Sequence, residues 1–262
     1  MTRRFLILAI AVCISCKQQA PQKPGRSAAG PQVQATVVTI RTTVQSAQAI
    51  EPSKKTYTHS LIIAGDRARH TGELDAWRFY DTRADTITYV DDLTRTVRVE
   101  KLQDAQRRHL AALAGTLPPH YPQLRLRTTD ARKPLHGATA TQNVIELNGY
   151  RRELWLAEHP AIPEGLFGMM QASERPTSPL APMTRAVDEA LMAARGFPLV
   201  DRSEITYGNQ KMVVERSVVS IEKRNVPEKT VTLPRGYEDV TPKPNSVAPR
   251  PARGERVPRS GG

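Results

Sequence analysis

Cysteine is nearly missing from this sequence. The chain has 262 residues and two cysteines, Cys13 and Cys16, so no disulfide can staple anything beyond the first turns of chain. Aromatic residues make up 5% of the composition, and any core must therefore be built mainly from Val, Ile, Leu and Ala. Long apolar runs are also missing. The longest is Phe5 to Ile14, well short of the roughly 20 residues that a membrane-spanning helix needs. The six histidines are His59, His70, His109, His120, His136 and His159, and no two have the i, i+4 spacing of a helical metal pair. There is no Gly-x-Ser-x-Gly elbow, no phosphate-cradling glycine loop and no internal repeat. Asp91 and Asp92 are neighbours on a strand candidate, so their side chains point to opposite faces and do not grip one ion together. These absences lead us to expect no enzyme, no cofactor and no metal site. His109 reads as a core-edge residue on a helix rather than a ligand.

What is present begins at the N-terminus. Arg3 and Arg4 precede the apolar run, the pattern of an export signal. The run ends in Cys13-Ile14-Ser15-Cys16, a small residue directly before a cysteine. That resembles a bacterial lipobox, which implies lipid attachment at Cys16 and a discarded signal over 1–16. Leu or Val is usual where Cys13 stands. A plain signal peptide is the nearest alternative. A Cys-x-x-Cys redox pair needs a thioredoxin-like context that is missing, and a zinc site needs further ligands.

The net charge of +12 sits at the ends. Residues 1–30 carry +5 and residues 241–262 carry +4, which leaves +3 for residues 31–240. The basicity is thus no nucleic-acid patch, and no nucleic-acid module is recognisable. Residues 17–32, with three prolines, read as a flexible tether, and 241–262, with five, as a disordered basic tail. The tail could contact anionic envelope components; the plainer reading is a solvated end.

Residues 33–240 read as one domain of strands with two helices. Strand candidates are 33–45, 56–65, 76–81, 86–92, 94–102, 137–148, 150–158, 199–208 and 211–226, with a short closing stretch at 229–240. Val97 and Val99 alternate with Arg98 and Glu100, a period of two with one face in and one out. Asn148-Gly149 marks a hairpin. The helices are placed at 100–114 and 182–195 by their apolar spacing, with Gly115 and Gly196 as stops. The short connections predict an antiparallel meander. The expected fold class is α+β, a single curled antiparallel sheet forming a half-barrel, with two helices covering its open side.

Two segments carry a family resemblance. "HGATATQNVIELNGYRRELWLAEHPAIP" (136–163) places a glycine before a hairpin and a Trp-containing strand that ends in a Pro-bearing loop. "GFPLVDRSEITYGNQKMVVERSVVSIEKRNVPEKTVTLPRGYEDV" (196–240) leads from Gly-Phe-Pro through two long strands to a Leu-Pro-x-Gly-Tyr ending. Together they resemble an uncharacterised domain of bacterial envelope lipoproteins, grouped by fold with the periplasmic lipoprotein carriers (LolA-like). The cysteine frequent in that family's hairpin is absent here, where Val144 and Ile145 stand. The resemblance implies a membrane-anchored protein facing the periplasm, with a lipid or other apolar ligand held in the curved sheet. A structural lipoprotein that works through its basic tail is the alternative. The segment "EGLFGMMQAS" (164–173) supplies the candidate ligand contacts Leu166, Phe167, Met169 and Met170, since Met-rich apolar segments adapt to ligands. The plainer and preferred reading makes them ordinary core that plugs the open side.

Overall fold

The strand predicted at 33–45 is the spine of the fold. A computed structural model describes residues 30–47, 53–71, 76–114, 124–147, 149–174, 181–207 and 210–242. In it β1 (Gln32–Ala47) buries Val38, Ile40 and Thr42 on one face and Ala35 and Val37 on the other. Burial on both faces marks a central strand. β1 pairs antiparallel with β2 (Ser53–Ala64) on one side and with β11 (Gln210–Pro227) on the other.

Two meanders run outward from this pair. One passes from β2 through β3 (Arg67–Thr71), β4 (Ala76–Asp81) and β5 (Thr86–Asp91) to β6 (Thr96–Lys101). The other passes from β11 through β10 (Phe197–Tyr207), β9 (Tyr150–Ala157) and β8 (Ala138–Leu147) to β7 (Arg127–Leu135). A two-residue strand, β12 (Glu238–Asp239), adds to β6 in parallel. The sheet thus has twelve strands, not the nine expected, and eleven of them pair only antiparallel apart from that last contact. β3 and β7 escape a sequence reading because both are short of apolar residues. "RARHT" and "RTTDARKPL" hold few strand-forming side chains, and Pro134 suits the edge position that β7 occupies. Turns follow local chemistry: the Asp91 carboxylate accepts from the backbone N–H of Leu93 and Thr94, and Asp81 accepts from that of Ala84.

Among the described residues three α-helices pack on the concave side, where two were expected: α1 (Leu102–Ala112), α2 (Leu166–Ser173) and α3 (Ala181–Met192). α2 is the addition. Its sequence is apolar all round, so it has no helical period to read, and such a helix belongs in a core. α2 also proves the curvature. Its Phe167 ring packs edge-on against Phe197 of β10, with ring centroids 6.3 Å apart, while its Ser173 hydroxyl meets the Tyr80 hydroxyl of β4 at 3.1 Å. Five strand steps separate β4 from β10, roughly 24 Å in a flat sheet. An eight-residue helix is about 12 Å long. The sheet therefore curls around α2, and it stays open, with β12 and β7 as its two edges.

The main core fills the concave side: Val38, Ile40, Leu61, Tyr80, Leu154 and Leu199 from the sheet meet Leu166, Met169 and Leu191 from the helices. Gly168 sets the fit between α2 and α3. A Cβ there would sit 2.3 Å from the Met192 carbonyl oxygen. We expect Gly168→Ala to cost about 1–3 kcal/mol in unfolding free energy, read from urea titration, because two backbones must move apart.

The convex side is not bare. After β11 the chain crosses the back of the sheet as a strap. Val231 packs with Ala35, Val37 and Val226, and Tyr237 packs with Trp77, Phe79 and Val90. The closing stretch at 229–240 is thus mostly this strap, ending in the parallel strand β12 rather than in an antiparallel one.

Candidate functional site

Curling around α2 leaves a cleft of about 620 Å³ between that helix and the concave face, towards the ends of β3 to β6. Ile40, Phe167, Met170, Phe197 and Val218 form an apolar wall. The sheet side also carries Tyr57, His59, His70, Arg78, Tyr89, Arg98 and Arg216, with His59 directly beside Ile40 and Arg216 two residues from Val218 on β11. Sheet register explains this grouping. His70 of β3 lies directly across from Arg78 of β4, Arg78 from Tyr89 of β5, and Tyr89 from Arg98 of β6. Further along, Tyr57, Thr42, Arg216 and Asp201 are successive partners across β2, β1, β11 and β10. Side chains alternate in direction along a strand, so each such row shares the concave face.

The charges are arranged in two relays. Asp201 is nearly buried and receives two hydrogen bonds of 2.9 Å from Arg152, with Arg216 at 3.4 Å. Burial alone would raise the Asp201 carboxyl, but the Arg152 and Arg216 guanidinium groups outweigh it and hold it below the usual range. Burial likewise opposes the charge on Arg152, and the facing carboxylate reverses that, leaving its pKa raised. In the second relay Glu100 accepts from Arg108 of α1 at 2.9 Å and lies 3.5 Å from Arg98. The Arg98 guanidinium stacks 4.0 Å above the Tyr89 ring, and the Tyr89 hydroxyl donates to Glu100 at 2.9 Å. His70 sits edge-on to His59 with ring centroids 5.1 Å apart. Burial, then His59, Arg78 and Arg216, push its pKa down to about 4.

Of the four predicted contact residues, three belong to the main core (Leu166, Phe167 and Met169) and two reach the cleft (Phe167 and Met170). Leu166 and Met169 have exposures of 0% and 1%. The helix therefore does both jobs, as core plug and as cleft wall. Asp91 also reaches the cleft but is occupied by its own turn, and Asp92 instead accepts from Trp77 Nε1 and the Tyr237 hydroxyl. His109 is 4% exposed, with Nδ1 3.0 Å from the Glu174 carbonyl oxygen and Nε2 3.9 Å from Asp188. Cys16, the tether up to residue 29 and the tail from residue 243 lie outside the described residues. Among the described residues, no group of three or more His, Cys, Asp or Glu could hold a metal ion.

The polar wall is what sequence reading missed. The alternation at 96–101 is real, but both of its faces are used. Val97 packs under the strap on the convex side, while Arg98 and Glu100 face the helices. The available signal was one basic residue on the inward face of each of β2, β3, β4 and β6 (His59, His70, Arg78 and Arg98), which reads equally well as a solvated face.

No family model matches the chain, and no curated protein matches it. Among solved structures, a structure of PNGF-II in the C2 space group has a TM-score of 0.37 at 10% identity, over 79% of this chain and 31% of that one. The P21 form has a TM-score of 0.38 at 11% identity, over 78% and 32%. This chain spans about a third of those chains' length, and likeness at that level carries no argument about fold or activity. Function has to be read from the cleft's own geometry.

Proposed function

We propose that this protein is a non-catalytic, lipid-anchored envelope protein, a LolA-like half-barrel that binds an amphiphilic or apolar ligand between α2 and its concave sheet. The observation that carries this reading is the cleft. Its 620 Å³ falls in the range of small-molecule sites, and Ile40, Phe167, Met170, Phe197 and Val218 supply a continuous apolar wall. Met170 is half-buried and unbranched, which lets the wall adapt to different chains. Two of the cleft's carboxylates serve structural partners: Asp91 accepts from the backbone N–H of Leu93 and Thr94 in its own turn, and Asp201 accepts from Arg152 and Arg216.

The test is native mass spectrometry of the purified protein, followed by displacement of a neutral apolar fluorophore with monomeric alkyl ligands. Saturable one-to-one binding is expected, weakened about tenfold or more by Met170→Glu, which sets a charge against the apolar wall. A clean ligand-free mass together with no displacement would sink the reading.

The anchor has its own test. Cys16→Ser is expected to abolish acyl labelling and release the protein from membranes, whereas Cys13→Ser leaves both unchanged. Labelling that survives Cys16→Ser would refute attachment at that residue.

A further inference from the structure

We infer that the ligand of the cleft carries an anionic head, a carboxylate or a phosphate, and that Arg78, with Arg216 and His70 beside it, seats that head. The inference rests on the reading of the cleft as an amphiphile site and adds the chemistry of one end of the ligand.

The cleft lining is mixed: Phe167 and Met170 of α2 face a sheet surface that carries arginines beside Ile40, Phe197 and Val218. Arg78, Arg98 and Arg216 reach it from three different strands. The carboxylates near them leave positive charge over. Asp201 is shared by Arg152 and Arg216, two cations to one anion. Glu100 is shared by Arg98 and Arg108 in the same ratio. Arg78 forms no salt bridge with any described carboxylate, and its polar neighbour is the neutral Tyr80 hydroxyl. Two acidic residues also line the cleft. Asp91 is turned onto its own backbone, and Glu174 stands exposed at the C-terminal end of α2.

A second observation is independent of charge counting. His70 lines the cleft, and its Nε2 is a buried atom with no hydrogen-bond partner. Buried polar atoms are nearly always partnered. His70 lies directly across from Arg78 on the concave face. An orphaned ring nitrogen beside a guanidinium that no carboxylate neutralises marks a place where an oxyanion fits, with the proton on that nitrogen. Phe167, Met170 and Phe197 line the same cleft, so head and tail would be held together.

The experiment compares dodecanoate, dodecyl phosphate, dodecanol and inorganic phosphate as competitors of a neutral fluorophore, at neutral pH and below micelle-forming concentrations. The two anionic amphiphiles are expected to bind at least about tenfold more tightly than dodecanol. Arg78→Gln is expected to erase most of that preference, weakening the two anions far more than dodecanol, and Arg78→Lys is expected to keep most of it. Equal binding of dodecanol and dodecanoate by the unaltered protein overturns this inference and leaves the amphiphile reading standing. Binding by none of the alkyl probes overturns both. Inorganic phosphate competing as well as dodecyl phosphate also overturns both, since the site would then be one for a free anion. Full preference retained in Arg78→Gln and also in Arg216→Gln removes these arginines from the head site.

Discussion

Replacing Asp201 with Ala is expected to lower unfolding free energy by about 3–5 kcal/mol, among the largest losses from one side chain in this fold. Asp201 bridges β9, β10 and β11 through Arg152 and Arg216. Its side chain is 8% exposed and that of Arg152 is 16% exposed. Removing the carboxylate strands a nearly buried guanidinium with no counter-charge, and it leaves Arg216 as a like-charged neighbour. The loss measures that stranded charge, not the worth of the pair. The double substitution Arg152→Met with Asp201→Leu is therefore expected to cost far less, on the order of 1 kcal/mol or under. Urea titrations of the wild type, the single variant and the double variant give the comparison. A double variant as unstable as Asp201→Ala would show that the carboxylate does something other than neutralise Arg152.

Mild acid is the second large lever. His70 has a folded pKa near 4 against an ordinary 6.5, because it is buried and faces His59 from β2, Arg78 from β4 and Arg216 from β11. Between those two values the unfolded chain takes up a proton that the folded chain refuses. Stability therefore falls as pH falls from about 6.5 to 4, by about 3 kcal/mol in all from this residue. His109 acts in the opposite direction. The Asp188 carboxylate raises its pKa, so its contribution is full below 6.5 and is lost as pH rises through the folded value. The difference between wild type and His70→Gln isolates the first effect, since His109 is common to both. His70→Gln is expected to be the more acid-tolerant protein, gaining on the wild type as pH drops through that window. A stability difference that stays constant from pH 7.5 to 4.5 would refute the account.

The concave cleft concentrates both levers in one place. Its cationic wall is also its weak point in acid. A protein with surplus positive charge beside a buried histidine gains stability from any anion that settles there, by the mass-action effect of ligand on the folded state. That links the two stability predictions to the ligand proposed for Arg78.

Local chemistry was legible where one residue type settles a local geometry. Val, Ile and Thr runs located most strands, and the bounds of β4 at Ala76–Asp81 coincide with the expected ones. Asn148-Gly149 located the hairpin between β8 and β9, whose ends Leu147 and Tyr150 are register partners. Leu102, Ala105 and His109 located α1 by their spacing. β3, β7 and α2 were not legible. The two strands draw their order from neighbours on the sheet rather than from their own side chains, and α2 has no polar face to reveal a period.

The sequence by itself determined an α+β chain of mostly antiparallel strands, a charge confined largely to the ends, and the pool of apolar side chains for a core. It determined alternation along each strand but not which face is concave. That was decided by tertiary structure, through the pairing of β1 with β11 and the wrapping of the sheet around α2. The physical reason is that a period of two defines two equivalent faces, and here both are covered, one by helices and one by the C-terminal strap. The local β3–β6 meander gathers His70, Arg78 and Arg98, and only closure across some 180 residues of chain, from β1 to β11, adds Arg216 to them.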